Sequence, residues 1–234
     1  MEITPIAHIR TEFPEKFGIP RQSGLASGLH GKIVFEPKYR NPDSLRGLSD
    51  FSYIWIIWEF SANRRGSVPA FQSDWQPTVR PPRLGGNEHM GVFATRSPFR
   101  PNPLGLSCVE LERIDLDGPD GPVIYVKGAD LMDGTPIYDI KPYVKYADSR
   151  PHAECGFVDR LDERSLKVII PSECTENLAD KTILPALVEV LSLDPRPSYH
   201  DDPDRTYGLS FAGCNVRFKV ADGVLTVVEI NVIR

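Results

Sequence analysis

The stretch YIWIIWEF, Tyr53–Phe60, decides the fold class of this chain. Its residues are aromatic or β-branched almost throughout, which predicts a strand buried on both faces. Similar short runs precede and follow it, with turn residues such as GPDGP at Gly118–Pro122 between them. We predict these other strands at Ile3–Arg10, Lys32–Glu36, Met90–Thr95, Leu106–Arg113, Val123–Ala129 and Ile137–Ile140. Many short strands with few helical signals predict a mainly β unit over residues 1–146, either a barrel or a sandwich.

The pattern changes after a polar segment, Ala147–Gly156, which contains Pro151. We interpret residues 147–160 as a linker between the β-rich first domain and a second domain at residues 161–234. Ser165–Ile170 is the first predicted strand of that second domain.

A helix and a hairpin complete the second domain. Thr182–Leu193 has apolar residues at helical spacing, with Thr182 as its N-cap. The apolar face of this helix comprises Ile183, Leu187, Val190 and Leu191. Asp222 and Gly223 lie between two alternating runs, which is a strong hairpin signal. The second domain is therefore predicted to be small and α+β.

Composition narrows the class of protein. The chain has 234 residues, of which 41% are hydrophobic and 25% charged, as in ordinary globular proteins. We find no apolar run long enough for a membrane span and no secretory signal, so we expect no membrane partner. The net charge of −5 argues against a protein that coats nucleic acid non-specifically, and we expect no DNA partner. Four scattered cysteines without a CxxC pair fit a reducing cytoplasm and no zinc site.

The most constrained loop of the chain is VRPPRLGGNEHMGVFATRSPFRPNPLGL, Val79–Leu106. Five prolines and four glycines restrict its backbone, and Glu88 is its one acidic residue. Its four arginines are Arg80, Arg83, Arg96 and Arg100. Because a guanidinium group matches phosphate and carboxylate with two parallel hydrogen bonds, this loop is predicted to bind an anion. The alternative is a connector whose arginines pair with local acids.

Several common chemistries have no motif here. The chain lacks GxGxxG, HExxH and GxSxG, and its five histidines are dispersed. GLASGLHGK, Gly24–Lys32, resembles a P-loop but fails its spacing. We therefore expect no metal centre and no standard dinucleotide site.

The remaining motif is acidic: DLMDGTPIYD, Asp130–Asp139. Carboxylates in such a turn can bind hydroxyl groups, bind a metal or act as a general base. They can equally cap the turn without any functional role. Residue types alone leave these interpretations open.

Taken together, five blocks of the chain resemble the TsaA/TrmO-like tRNA methyltransferases. The blocks are KFGIPRQSGL, RGLSDFSYIWIIWEF, WQPTVRPPRLGGNEHMGVFATRSPFRPNPLGLS, DLMDGTPIYDIKPY and DPRPSY, in family order from Lys16 to Tyr199. The resemblance implies a small β-barrel without a Rossmann sheet, followed by a smaller C-terminal domain. It implies that S-adenosylmethionine methylates N6 of threonylcarbamoyladenosine at tRNA position 37, beside the anticodon. It also implies a homodimer with the cofactor near the subunit interface.

The resemblance also implies which residues bind the cofactor. These are Pro20, Arg21, Gln22, Arg96 and Leu106, with the DLMD turn formed by Asp130, Leu131, Met132 and Asp133. Ser61 and Ala62 occupy the cofactor-binding positions at which the family usually has a polar pair, often His-Gln. The aromatic strand can wall an apolar pocket for adenine, and the arginines and carboxylates suit the charged ends of the cofactor.

The remaining site residues follow from the chemistry of the implied substrate. Asp133 and Asp139 are the candidates for accepting the N6 proton. Arg83 or Arg100 is predicted to read the threonyl carboxylate. The candidates for tRNA contact are Arg80, Arg83, Lys141, Lys145, Arg196 and Tyr199, and the segment Asn63–Trp75.

Two other classes of function stay open at this point. One is an RNA-binding module without catalysis, in which the arginine loop grips phosphate and the acidic turn is structural. The other is a metal-assisted hydrolase that uses Asp130, Asp133 and Asp139. Cofactor binding separates a methyltransferase from the first, and divalent-ion dependence separates it from the second.

Overall fold

The computed structural model describes residues 2–62, 64–65, 68–69, 75–85, 87–161, 165–176, 178, 180–197 and 202–233. Its strands are β1 Ala7–Arg10, β2 His30–Phe35, β3 Tyr53–Glu59, β4 Arg64–Arg65, β5 Val68–Pro69, β6 Thr78–Val79, β7 Met90–Gly91, β8 Leu104–Asp115, β9 Val123–Lys127, β10 Pro136–Pro142, β11 Lys167–Ile169, β12 Tyr207–Phe211, β13 Cys214–Ala221 and β14 Val224–Val232. Its α-helices are α1 Lys145–Asp148, α2 Ser172–Thr175 and α3 Leu184–Ser192. Among these described helices, none is long and apolar enough to cross a membrane.

Six antiparallel strands close into a barrel in the order β1-β10-β3-β8-β9-β2. The central pair is β3 with β8, whose register runs from Tyr53 opposite Glu110 to Glu59 opposite Leu104. Closure leaves none of these strands with an unpaired edge. The prediction of a small barrel is confirmed, and the sandwich alternative is wrong.

The prediction that β3 is buried on both faces is wrong. Its burial alternates, with Ile54, Ile56 and Trp58 inside the barrel. Tyr53 is 45% exposed on the outer face, where Trp55 is half-buried. In a closed barrel only inward side chains fill the core, so the outer residues Tyr53 and Trp55 do not belong to the barrel core.

One predicted strand of the first domain is largely replaced by other structure. Met90–Thr95 forms only the short strand β7, followed by a 3₁₀ helix at Val92–Ala94. Val92 is buried, and the two residues that follow it, Phe93 and Ala94, are both exposed, so the alternation of a long strand is broken there. The whole loop between β6 and β8 is thus held by short elements rather than by the barrel sheet.

The second domain has a four-stranded sheet in the order β11-β14-β13-β12. The predicted hairpin is confirmed: Asp222 and Gly223 both have positive φ, 50° and 75°, as a two-residue I′ turn requires. The helix α3 is also confirmed, with Leu187 and Leu191 fully buried on its inner face. Thr182 is not its N-cap, because its hydroxyl and amide both donate to Asp180 and the helix begins after Ile183.

Residues from the start of the chain complete the core of the second domain. Phe13 packs edge-on against Phe211, with ring centroids 5.3 Å apart. The segment Lys16–Arg21 also lies against this sheet, and a Cβ on Gly18 would be 2.2 Å from Leu209 Cδ1. This packing brings the KFGIPRQ segment between the barrel and the second domain. The boundaries 1–146, 147–160 and 161–234 stay predictions.

Candidate active site

A cavity of about 630 Å³ lies where β3 ends and β8 begins. Four segments that are distant in sequence form its walls: the Lys16–Gln22 segment, the end of β3, the arginine loop and the acidic turn. The lining side chains on the barrel side are Trp55, Trp58, Glu59, Phe60, Ser61, Ala62, Leu104, Gly105, Leu106, Asp130, Met132 and Thr135. Those on the other walls are Lys16, Ile19, Pro20, Arg21, Gln22, Pro82, Arg83, Thr95, Arg96, Pro98 and Arg100. A cavity of this size and mixed lining suits a cofactor or a nucleoside.

The aromatic wall depends on a close approach between two strands. Trp58 on β3 lies directly opposite Gly105 on β8. A Cβ on Gly105 would stand 2.2 Å from Trp58 Cε2, so only glycine leaves room for the indole ring. Phe60 packs on the same ring, with centroids 4.3 Å apart. The sequence Trp-Glu-Phe at the end of β3 thereby gives the cavity an aromatic wall of two rings inclined at 59° to each other.

A buried carboxylate adjoins this aromatic wall. The Trp58 indole N–H donates to Ser107 Oγ at 3.0 Å, and Ser107 Oγ donates to Asp130 Oδ1 at 2.6 Å. Burial raises the pKa of Asp130, while the Ser107 hydrogen bond and the charge of Arg96 act in the opposite direction. Asp130 is thus a fixed hydrogen-bond acceptor at the inner end of the cavity.

The cations of the cavity fall into distinct groups. Arg96 Nη1 donates to Gln22 Oε1 in a short hydrogen bond. Arg21 Nη2 donates to the carbonyl of Asp194 at 3.4 Å. Partial removal from water, followed by the charge of Arg83, lowers the pKa of the Arg21 guanidinium. Arg96 is thus held by Gln22 and its charge acts on Asp130, whereas Arg21 is held by the second domain and its pKa is lowered in part by Arg83.

Arg100 holds the backbone of its own loop. Its Nη1 donates to the carbonyl oxygens of Thr95 and Ser97, each at 3.1 Å. The side chains of Thr95 and Ser97 add further turns by accepting from the amides two residues on. These hydrogen bonds hold the Thr95–Arg100 part of the loop, and Arg100 supplies two of them.

Most predicted cofactor residues meet at the cavity. Lining positions are occupied by Pro20, Arg21, Gln22, Ser61, Ala62, Arg96, Leu106, Asp130 and Met132. Arg83 and Arg100, predicted to read a carboxylate, also line it. The structure brings these residues together, and their individual roles stay predictions.

Three residues of the acidic turn do not line the cavity. Leu131 is fully buried in the barrel core. Asp133 accepts the Thr11 amide at 3.1 Å and pairs with Arg10 at 3.4 Å, so it clasps the turn to β1. Asp139 pairs with Lys141 at 3.0 Å on the barrel surface. The geometry therefore gives no support to Asp133 or Asp139 as the general base.

The same placement removes the ligand set of a metal-assisted hydrolase. Asp130 lines the cavity. Asp133 instead pairs with Arg10, and Asp139 pairs with Lys141, and neither carboxylate lines the cavity. Within the described part of the chain, no three His, Cys, Asp or Glu residues cluster in a way that could hold a metal ion. The metal-assisted alternative is therefore not favoured.

Several predicted tRNA-contact residues also lie away from the cavity lining. Arg80 Nε donates to His89 Nε2 at 3.0 Å, and Arg196 binds the Asp194 carboxylate through two hydrogen bonds. Lys141 is engaged by Asp139, and Lys145 begins the short helix α1. Tyr199 and most of the segment 63–75 lie outside the described residues.

Sequence reasoning missed two polar groups of the cavity. Glu59 lines it and accepts a short hydrogen bond from the Tyr138 hydroxyl on β10. Lys16 lines it too, and burial lowers the pKa of its ammonium group. Lys16 carried a signal, since it begins the KFGIPRQ block. Glu59 carried none, because it reads as the polar end of a strand.

Comparison with known proteins agrees with this architecture. The sequence profile of the tRNA-methyltransferase O N-terminal domain matches residues 8–149, and that of the TrmO C-terminal domain matches residues 163–233. The chain belongs to the TrmO family. The resemblance stated from the sequence blocks is thereby confirmed.

Relatives of known name share most of the length of this TrmO family member. A tRNA (adenine(37)-N6)-methyltransferase of Escherichia coli K12 is 40% identical over 224 residues, which cover 93% of this chain and 92% of the relative. One of Eikenella corrodens is 43% identical over 74% of this chain and 93% of its own. The crystal structure of TrmO from Pseudomonas aeruginosa superposes with a TM-score of 0.76 at 30% identity, over 99% of this chain and 97% of that one.

Proposed function

We propose that this protein transfers a methyl group from S-adenosylmethionine to N6 of adenine 37 in tRNA, and that this adenine carries a threonylcarbamoyl group. The observation that supports the proposal is that an aromatic wall, the buried Asp130, Arg21 and Arg96 all line one cavity of about 630 Å³. The proposal is also supported by two relatives of this chain, which are both named tRNA (adenine(37)-N6)-methyltransferase.

The residues of the cavity fit the cofactor. Trp58 and Phe60, whose rings are inclined at 59° to each other, offer aromatic surface against which an adenine ring can pack. Asp130 offers a carboxylate for ribose hydroxyls or the ammonium group, and Arg96 with Gln22 offers donors for the carboxylate. When bound, the cofactor supplies an electrophilic methyl group on a sulfonium cation.

The protein contributes mainly by positioning the reacting groups and by excluding water from them. The Trp58–Ser107–Asp130 hydrogen bonds and the Arg100-held loop keep opposite walls of the cavity in fixed positions. Because methyl transfer is an in-line displacement, such positioning provides much of the rate. The N6 proton must also leave, and Asp130 and Glu59 are the two carboxylates among the described lining residues.

The proposal includes contact with an anticodon loop and assembly as a homodimer. Leu106 is 57% exposed at the cavity and Leu104 is 39% exposed, and both lie on the outer face of the barrel. Apolar side chains exposed beside a functional cavity suit a subunit interface. Light scattering after size exclusion tests the dimer.

Each of the four cysteines is free, which fits function in the reducing cytoplasm.

The deciding experiment uses tRNA with and without the modification. Purified protein is incubated with S-adenosylmethionine and each tRNA, and the digested nucleosides are weighed by mass spectrometry. The expected result is one added methyl on threonylcarbamoyladenosine and none on unmodified adenosine. Methylation of both would overturn the requirement for the modification. No methylation together with no cofactor binding would overturn the methyltransferase activity itself and favour the RNA-binding alternative.

A further inference from the structure

A second, smaller cavity of about 170 Å³ adjoins the first. The two share four lining residues: Lys16, Ile19, Pro20 and Arg21. The opposite wall comes from the end of α3 and the residues that follow, through Val190, Leu193, Asp194 and Pro195. Its volume equals that of about six water molecules in the liquid, which suits a group of a few heavy atoms.

Arg21 stands at the boundary of the two cavities, and the second domain fixes its position. Arg21 donates to the backbone carbonyl of Asp194. Asp194 itself has a φ of 51°, in the left-handed region. Arg196 holds the Asp194 carboxylate with two hydrogen bonds of 2.9 and 3.0 Å, and its side chain is only 12% exposed. This bidentate pair maintains the unusual backbone that presents the carbonyl to Arg21.

Arg83 brings a second guanidinium group to the main cavity, which Arg21 also lines. Its charge is the second cause, after burial, of the lowered pKa of Arg21. Two neighbouring guanidinium groups repel each other, and a carboxylate between them converts the repulsion into two attractions. Arg100 is engaged by its own loop, and Arg96 faces Gln22.

We propose that Arg21, Arg83 and the smaller cavity bind the amino-acid part of the modified base. The two guanidinium groups bind its carboxylate, and the smaller cavity encloses its side chain. This inference rests on the proposed function, since it takes the base to carry an amino acid through a carbamoyl link. It also gives the second domain a part in substrate selection, because α3 and Asp194 form one wall of the site.

The test uses tRNAs assembled by ligation, whose position 37 carries threonylcarbamoyladenosine, its carboxamide, the glycyl analogue or plain adenosine. Binding to the protein without cofactor is measured by fluorescence anisotropy, and methyl transfer is measured separately. We expect the wild type to bind the carboxylate form about 10- to 100-fold more tightly than the carboxamide. The variant R83Q should lose most of that preference, because only Arg21 then faces the carboxylate. The control R46Q, at an exposed arginine paired with Asp43, should keep the preference.

Substrate changes test the smaller cavity without any risk of misfolding. The threonyl form should bind about 3- to 10-fold more tightly than the glycyl form. Filling the cavity with L193W should abolish that difference, with a thermal melt as the check on folding. Equal binding of the two forms by the wild type would show that the smaller cavity does not hold the side chain.

The outcomes separate this inference from the proposed function. An undiminished carboxylate preference in R83Q would overturn the arginine pair, whether or not R83Q also binds S-adenosylmethionine more weakly. Methylation without any carboxylate preference would overturn the inference and leave the methyltransferase standing. Absence of methylation on every tRNA, with the binding preference present, would instead contradict the proposed function.

Discussion

Ser107 Oγ lies 2.6 Å from Asp130 Oδ1, and this hydrogen bond joins the barrel core to the cavity. Since the hydroxyl also accepts from the Trp58 indole, its single proton is committed to the carboxylate. The carboxylate is therefore oriented before any ligand binds. Orientation of this kind is what a positioning mechanism requires.

Replacing Asp130 by asparagine should lower kcat at least about 100-fold, because the amide keeps the shape but loses the charge and one acceptor. Steady-state methylation with the modified tRNA measures this, and calorimetry gives the affinity for S-adenosylmethionine. The matched control is D139N, whose carboxylate pairs with Lys141 outside the cavity. Activity of D130N within threefold of the wild type would show that the charge of Asp130 is dispensable.

The same substitution should change how stability depends on pH. Burial raises the pKa of Asp130 above its usual 3.8, so the folded protein binds this proton more tightly than the unfolded chain. The contribution of Asp130 to stability is then lost as pH rises through the window that begins near 3.8. The melting temperature of D130N should therefore rise relative to that of the wild type between about pH 4 and pH 7. A difference that stays constant across this range would contradict the prediction.

Gly105 should not tolerate even a methyl group. The Cβ of alanine would stand 2.2 Å from Trp58 Cε2, so G105A must displace the indole or part β3 from β8. We expect a destabilisation of about 1–3 kcal/mol and weaker binding of S-adenosylmethionine. Thermal melts and tryptophan fluorescence measure the two effects. G91A is the control, since a Cβ there meets no atom within 4 Å.

The barrel was predictable from the sequence because its strands are short, apolar and punctuated by turns. The Asp222-Gly223 turn was predictable for a related reason, since its backbone requires positive φ at both residues. The burial of β3 on one face alone was not predictable, because outward Trp55 and Tyr53 carry the same apolar signal as inward Ile54. Of the apolar residues on the outer face of that strand, Trp55 lines the cavity.

Most of the cofactor-binding residues that the family resemblance predicted do line the site. The sequence did not predict the contacts that distant elements make with one another. Arg21, Arg96 and Asp130 come from blocks with specific sequences, and they do converge. Asp133 and Asp139 were misplaced because a turn and a bulged strand aim neighbouring carboxylates at different faces, which sequence spacing does not reveal. The pairing of Arg21 with Asp194, 173 residues away, had no local signal.

Arg100 should behave differently from Arg83, although both line the cavity. R100Q removes donors that hold the carbonyl oxygens of Thr95 and Ser97, so the loop loses rigidity. We expect kcat/KM to fall about 10-fold for the carboxylate and the carboxamide tRNA alike, with faster proteolysis of the loop. A loss restricted to the carboxylate tRNA would instead show that Arg100 reads that group.

The titration of Tyr138 should depend on the charge of Glu59. Burial, then the hydrogen bond to Glu59 and its charge, raise the pKa of Tyr138 to about 12. E59Q removes the charge and leaves the burial, so the phenol pKa should fall to a value between about 10 and 12. Carbon NMR of tyrosine labelled at Cζ follows the titration up to about pH 11, with Y138F to identify the signal and circular dichroism to confirm the fold. The wild-type signal should stay at the neutral position while that of E59Q begins to move. Identical titrations would mean that burial alone raises the pKa of Tyr138, and that the charge of Glu59 has no effect on it.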